Sequence, residues 1–202
     1  MRWLLGLVII VAAYSGTPSA GKPTVLFVGD SITVLATPAI QSVLGPSYHV
    51  EFVDKDGIRI NQSFPALVSA LKRHPSAVVE NLGTNDALQA GAGYDWGSSW
   101  HKLILMMRNT RCVVLTTINP VTDAYSHRSV ATRINDDIMA LAARNPTKYK
   151  VADWSGFLKR HVTNQRIYLR PEPILIHPSP AGALKIAALD NDALAKCGRR
   201  TS

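Results

Sequence analysis

The stretch that most constrains the fold is residues 24–31, which read TVLFVGDS. A short apolar run rich in β-branched residues ends abruptly at Gly29, Asp30 and Ser31, which is typical of a buried strand in a parallel sheet that stops at a loop. Ligands of open α/β sheets bind beyond the carboxyl ends of the strands, so Ser31 is expected at a crevice, where it can act as a nucleophile. The alternative is that Asp30 and Ser31 only satisfy backbone donors at the start of the next helix.

The rest of the chain repeats this succession of strand and helix. Short apolar runs predict five strands, and segments in which apolar residues recur at helical spacing predict six helices. The predicted strands cover residues 25–28, 48–53, 77–82, 112–118 and 149–152, and the predicted helices cover residues 38–44, 63–73, 99–108, 129–144, 154–161 and 180–195. This alternation predicts one α/β domain with a parallel sheet and helices on both of its faces.

The composition is that of a globular domain with excess positive charge. Of the 202 residues, 47% are apolar and 18% are charged, and the formal net charge is +8. This charge favours association with anionic surfaces, so an anionic polymer of the cell envelope is a candidate partner. The basic residues are dispersed and no nucleic-acid-binding motif is present, so nucleic acid is not an expected partner.

The first twenty residues differ from the rest of the chain. Arg2 precedes an apolar run over residues 3–13, and small residues follow as far as Ala20. Such a run is too short to span a bilayer comfortably, which takes about 20 residues, and fits a secretory signal peptide. We therefore expect a signal peptide over residues 1–20, or an uncleaved anchor as the only membrane attachment, ahead of a domain over 21–202. Either form predicts export, with the protein secreted or held in the cell envelope.

Export would place the two cysteines in an oxidising compartment, where thiols pair. In an oxidising compartment Cys112, at the start of a predicted strand, and Cys197, after the last predicted helix, can form a disulfide. The alternative is two buried free thiols. No Cys or His cluster has metal-ligand spacing, so neither a metal nor another cofactor is expected.

Candidate site residues follow three of the predicted strands and precede the last helix. Ser31 follows the first strand, Gly57 the second and Asn85 the third, and His177 lies just before the final helix. Ester hydrolysis needs a nucleophile, a base and donors for the developing oxyanion, and these four residues can supply all three. Asp86, beside Asn85, is expected to bond to backbone donors of its own turn.

These residues lie in segments that resemble the SGNH hydrolase superfamily, also called the GDSL esterases. The segments are GDS at 29–31, the glycine at 57, GTND at 83–86 and HPSPAG at 177–182. The resemblance implies a three-layer α/β/α, flavodoxin-like fold with a five-stranded parallel sheet in the order 2-1-3-4-5. It also implies a nucleophile at Ser31, a base at His177, and an oxyanion hole formed by the Ser31 N–H, Gly57 and Asn85.

The chain departs from the family pattern at one position. The family usually carries an aspartate three residues before the histidine, where this chain has Ile174. Loss of the acid from a serine triad lowers kcat by roughly 10⁴ when nothing replaces it. A backbone carbonyl near Ile174, Glu172 or Asp153 can take its place, and we favour the carbonyl and then Glu172; the third member of the triad stays open.

The expected function is that of an exported serine esterase, a monomer that hydrolyses short acyl esters of the acetyl type. Short acyl groups are favoured because the chain has no obvious lid or long apolar insertion to cover a long acyl chain. The acyl group is expected on a small molecule or a polysaccharide. Two alternatives remain. Ile174 motivates a weak or inactive carbohydrate- or envelope-binding protein on the same scaffold, and the acyl-enzyme chemistry also suits an acyltransferase or a lipase.

Overall fold

The computed structural model describes residues 21–89, 94–120, 128–172 and 175–198. The predicted signal segment and Ile174 lie outside these ranges. Seven α-helices are described: α1 (Ser31–Leu44), α2 (Ile60–Leu71), α3 (Thr84–Gln89), α4 (Trp96–Met106), α5 (Arg128–Arg144), α6 (Trp154–Arg160) and α7 (Pro180–Leu194). The strands are β1 (Thr24–Gly29), β2 (His49–Asp54), β3 (Ala77–Asn81), β4 (Cys112–Thr116) and β5 (Tyr149–Ala152).

The five strands form one parallel sheet in the order β2-β1-β3-β4-β5. The inner strands β3 and β4 are buried along their whole length, as is β1 after its first residue, which explains their continuous apolar runs. Helix α1 packs against α7, while α2 packs against α4 and α3 against α5. The predicted three-layer α/β/α fold and its strand order are therefore confirmed.

The first helix begins seven residues earlier than the sequence predicts, at Ser31 rather than at Pro38. Asp30 caps it, because its Oδ1 accepts a hydrogen bond from the N–H of Ile32 at 3.0 Å. Pro38 consequently lies inside the helix. The correction matters for function, since it places Ser31 at the first position of a helix directly after the central strand.

Helices α2 and α4 also begin before their predicted positions, at Ile60 and Trp96 instead of residues 63 and 99. Helix α4 is capped by Asp95, whose Oδ1 accepts from the N–H of Ser98 at 2.9 Å, so the helix starts three residues before the predicted position. The short helix α3 was not predicted, because its six residues are too few to show a helical period.

A disulfide joins Cys112 to Cys197, with a Cα–Cα distance of 5.7 Å, which confirms the predicted pairing. It ties the start of β4 to the segment after α7. None of the helices in the described ranges combines the length and apolarity that a bilayer crossing requires. Within the same ranges, no group of three or more His, Cys, Asp or Glu side chains is arranged to hold a metal ion.

Candidate active site

The structure brings Ser31 and His177 into contact across 146 residues of sequence. Their Oγ and Nε2 atoms are 3.1 Å apart, within hydrogen-bond distance. Ser31 stands where β1 gives way to α1, and His177 stands on the loop before α7. A serine hydroxyl bonded to an imidazole nitrogen is the arrangement that activates a serine nucleophile.

The loop that carries His177 is held in place by backbone hydrogen bonds. The N–H of Arg170 donates to the carbonyl of His177 at 2.8 Å, and the N–H of Ser179 donates to the carbonyl of Tyr168 at 2.9 Å. Leu169 and Pro178 pair between them as an antiparallel bridge. The imidazole is therefore carried by a return of the chain in which residues 168–170 pair with residues 177–179.

The second ring nitrogen of His177 contacts a carboxylate. Its Nδ1 lies 2.6 Å from Oε2 of Glu172, and the two side chains are 30% and 34% exposed. Asp153, another of the three alternatives, is engaged elsewhere: its Oδ1 accepts from the N–H of Gly156 and caps α6. The carbonyl favoured from the sequence belongs to a segment outside the described residues, and the acid found against His177 is Glu172.

The two remaining residues of the predicted constellation lie in the same cleft. Gly57 and Asn85 line it together with Ser31 and His177, and its volume is about 390 Å³. Gly57 has a φ of +70°, in the left-handed region that disfavours residues with a Cβ. This conformation gives a structural reason for a glycine at that point of the loop after β2.

A side chain that the sequence analysis missed bridges Gly57 and Asn85. Nε2 of Gln89 lies 3.1 Å from Oδ1 of Asn85 and 3.3 Å from the carbonyl oxygen of Gly57. On the other side, Nδ2 of Asn85 donates to Oδ2 of Asp30 at 3.3 Å. The amide of Asn85 is thus oriented from both ends, and these contacts use one of its two N–H donors. The available signal was the i, i+4 spacing of Asn85 and Gln89, which places them on one face of a helix.

Asp86 bonds to its own backbone N–H, in line with the expected local role, and it also makes contacts across the fold. Its Oδ2 accepts from the N–H of Ile60 at 3.1 Å, and the hydroxyl of Tyr94 donates to its Oδ1. The guanidinium of Arg59 stacks over the Tyr94 ring, 4.4 Å from the ring centroid. Asp86 therefore anchors the start of α2, close behind the Gly57 loop, to helix α3, which carries Asn85.

Three acids lie together beneath the site. Burial raises the pKa of Asp30 to about 7, against the effect of the Ile32 N–H, and the nearby Asp86 charge raises it further. Burial also raises the pKa of Glu80 well above its ordinary value and raises that of Asp86. With a pKa of about 7, Asp30 is partly protonated at neutral pH, and this limits the negative charge beside Ser31 that would otherwise oppose an oxyanion there.

Arg170 also lines the cleft and was not singled out from the sequence. Its Nε donates to the carbonyl oxygen of Pro178 at 3.2 Å, so the side chain lies along the loop that carries His177. An arginine seven residues before the histidine carries no motif by itself. Only the return of the chain between residues 170 and 178 brings the guanidinium to the cleft.

Solved structures with the same fold include bacterial enzymes that act on acyl groups. The chain is similar to the C-terminal catalytic domain of peptidoglycan O-acetyltransferase A from Streptococcus pneumoniae, with 17% identity, a TM-score of 0.69, and 87% of this chain and 94% of that chain covered. It is similar to a GDSL-like lipase from Bacteroides thetaiotaomicron, with 19% identity, a TM-score of 0.66 and coverage of 86% and 88%. It is also similar to an acetylxylan esterase from Geobacillus stearothermophilus, with 16% identity, a TM-score of 0.65 and coverage of 90% and 96%.

No protein-family model and no curated protein sequence matches the chain. At identities of 15% to 19%, the structural likeness establishes the fold. The chain has the α/β/α fold of the GDSL-type, or SGNH, hydrolases, as the resemblance of its motifs implies.

Proposed function

We propose that the protein is an exported serine esterase. The observation that carries this proposal is the line of contacts from Oγ of Ser31 to Nε2 of His177, and from Nδ1 of His177 to Glu172. A serine, an imidazole and a carboxylate in this order form the triad arrangement that recurs on unrelated folds. The cleft around them is open to a substrate of moderate size.

In the proposed reaction Ser31 is the nucleophile and His177 is the general base. Nε2 of His177 accepts the hydroxyl proton as Oγ attacks the ester carbonyl, and Glu172 keeps the remaining proton on Nδ1 and stabilises the imidazolium. The backbone N–H groups of Ser31 and Gly57 and the Asn85 amide donate to the oxyanion. His177 returns the proton to the departing alcohol, and water, deprotonated by His177, then releases the carboxylic acid from Ser31.

The proposed substrates are esters of short acyl groups, such as acetyl groups on a small molecule or a polysaccharide. The cleft of about 390 Å³ has a limited apolar wall, formed by Leu35, Leu88 and Ile176. Two structurally similar proteins are named for acetyl groups on polysaccharides, an acetylxylan esterase and a peptidoglycan O-acetyltransferase. The disulfide agrees with an oxidising compartment, and hence with the export that the N-terminal segment predicts.

Acyl transfer is a second candidate, because the same acyl-enzyme can pass its acyl group to a sugar hydroxyl instead of water. The likeness to the O-acetyltransferase domain favours this alternative. The binding-protein alternative has less support, since it rested on the absence of an acid at position 174, and Glu172 supplies a carboxylate to His177.

Hydrolysis of 4-nitrophenyl esters by the purified domain tests the proposal. Acetate and butyrate should be the best substrates, octanoate should be poorer, and Ser31→Ala should abolish turnover of all three. A rate that rises with acyl length would indicate a lipase, and unchanged activity of the Ser31→Ala variant would refute the acyl-enzyme mechanism. Adding a sugar acceptor and analysing the products separates hydrolysis from transfer, because only transfer gives an acylated sugar.

A further inference from the structure

Arg170 places a positive charge at the wall of the cleft that contains Ser31 and His177. Its backbone N–H donates to the carbonyl oxygen of His177 at 2.8 Å, and its Nε donates to the carbonyl oxygen of Pro178 at 3.2 Å. The residue is half-buried. The side chain is therefore anchored beside the base by Nε, and its terminal amino groups are left to make other contacts.

The charge of Arg170 has no partner among the described residues. None of the ion pairs in that part of the chain includes Arg170, and Nε makes the one hydrogen bond of its side chain there. The cleft lining has two carboxylates. Glu172 is bonded to His177, and Asp56 is exposed on the separate loop that carries Gly57. A half-buried guanidinium whose Nη groups have no partner in the described part of the chain is a donor pair that matches the geometry of a carboxylate or a phosphate.

We propose that Arg170 forms an anion-binding subsite, and that the preferred ester carries a carboxylate or a phosphate close to the scissile bond. This inference rests on the proposed esterase function and adds the substrate class to it. The apolar part of the wall, formed by Leu35, Leu88 and Ile176, offers no acceptor, and neither carboxylate of the lining forms an ion pair with Arg170, so a neutral substrate leaves the guanidinium unpaired. Sites built to pair with a polar group discriminate strongly against analogues that lack it, and we expect a preference of roughly 10- to 100-fold.

Three acetate esters of similar shape test the subsite: 4-acetoxybenzoate, 4-acetoxyphenyl phosphate and the neutral 4-acetoxybenzamide. The readout is kcat/KM for each anionic ester relative to the neutral one, with each value divided by the rate of alkaline hydrolysis of that ester. We expect at least one ratio of about 10 or more in the native protein and a ratio near 1 in Arg170→Gln. The anionic ester with the larger ratio identifies the source of the charge, carboxylate or phosphate.

Two further variants separate anion binding from other effects of the substitution. Arg166→Gln removes the same charge from an exposed position four residues earlier and should keep the native ratio. Arg170→Lys keeps the charge without the planar pair of donors and should give an intermediate ratio. If Arg170→Gln acted only by losing the hydrogen bond to Pro178, all three esters would be hydrolysed more slowly by the same factor. The ratio of anionic to neutral ester would then stay at its native value. A native protein without a preference, or a preference that Arg166→Gln reduces equally, would overturn the proposal.

A binding measurement distinguishes failure of the subsite from failure of the esterase function. Ser31→Ala is titrated by NMR with 4-acetamidobenzoate and with the neutral 4-acetamidobenzamide, and the titrations are repeated in Ser31→Ala/Arg170→Gln. At least 10-fold tighter binding of the benzoate that requires Arg170 would support the subsite even if the native protein hydrolyses no ester. Equal binding of both compounds, together with kinetic ratios near 1, would reject it.

Discussion

Oε2 of Glu172 lies 2.6 Å from Nδ1 of His177, which follows it by five residues in the chain. The motif pattern that the chain resembles would place the acid at position 174, three residues before the histidine. A carboxylate next to Nδ1 favours the tautomer of His177 that carries its proton on Nδ1. In that tautomer the lone pair of Nε2 is directed at Ser31. The carboxylate is thus supplied from two residues upstream of Ile174. This pairing is the basis of our account of activity.

Glu172→Gln should lower kcat for 4-nitrophenyl acetate by roughly 10² to 10⁴, because the amide neither stabilises the imidazolium nor selects the same tautomer. KM should change little, since the substrate does not contact Nδ1. Steady-state kinetics checks both values. Asp192→Asn, which removes one carboxylate from an exposed position at the far end of α7, is the matched control and should keep native rates. A Glu172→Gln variant with native kcat would show that another group orients His177.

Asn85→Ala should lower kcat by roughly 10² to 10³, because it removes a donor to the oxyanion. Gln89→Ala should lower kcat less, by roughly 10-fold, since Gln89 only orients Asn85 and the Gly57 loop and is itself exposed. In both variants KM should stay near the native value. A larger effect on KM than on kcat in Gln89→Ala would mean that this side chain contacts the bound substrate and is not a positioning residue.

The strand order was predicted through the family resemblance, whereas the residues that meet at the cleft could be predicted for a physical reason. Parallel strands end at one edge of a sheet, so Ser31, Gly57 and Asn85, each placed after its own strand, had to converge there. What could not be predicted depends on how loops return. The contact of Glu172 with His177 and the position of Arg170 both follow from the pairing of residues 168–170 with 177–179. No local periodicity encodes such a pairing.

The helix starts that were missed have a similar origin. Asp30 and Asp95 are the N-caps of α1 and α4. Where a helix begins depends on which of several nearby polar side chains bonds to the free N–H groups of its first turn. The contacts of Asp86 across the fold were missed because its partners there, Ile60 and Tyr94, are remote in sequence or belong to a loop without a motif. These tertiary contacts add to the local role that the sequence predicts.

Asp190 should make the stability of the protein depend on pH. It is buried on α7, where its Oδ1 accepts from the hydroxyl of Thr116, and burial raises its pKa from 3.8 to about 8. Between these values the folded state binds a proton that the unfolded state has lost, so this contribution to the free energy of unfolding falls as pH rises from about 4 to about 8. The slope is about 1.4 kcal/mol per pH unit.

Asp190→Asn removes this slope and keeps an acceptor oxygen for Thr116. The variant should therefore gain stability relative to the native protein as pH rises toward 8, and the two should differ least near pH 4. Urea unfolding at several pH values measures the difference in the free energy of unfolding between the variant and the native protein. Asp30 and Glu80 also have raised pKa values that act in the same direction, but both proteins contain them, so the difference isolates the effect of Asp190. A difference that does not vary with pH would contradict the assignment.

The disulfide should contribute to stability and not to catalysis. It closes a sequence separation of 85 residues, and loss of a native disulfide in a small secreted domain costs about 2 to 5 kcal/mol. Cys112 is the first residue of β4, whereas the cleft lies at the opposite, carboxyl ends of the strands. The double variant Cys112→Ala/Cys197→Ala should thus unfold at lower urea concentration and keep near-native kcat under conditions where it remains folded. A large loss of kcat in the folded variant would contradict this separation of roles.

The most direct test of the central claim is covalent labelling of the folded domain by a fluorophosphonate, with the modified residue located by mass spectrometry. This reagent reacts with serine hydroxyls that a neighbouring base activates. We expect labelling of Ser31 in the native protein, much slower labelling in Glu172→Gln, and none in His177→Ala. A folded native protein that is not labelled at Ser31, or is labelled equally well in His177→Ala, would contradict the account.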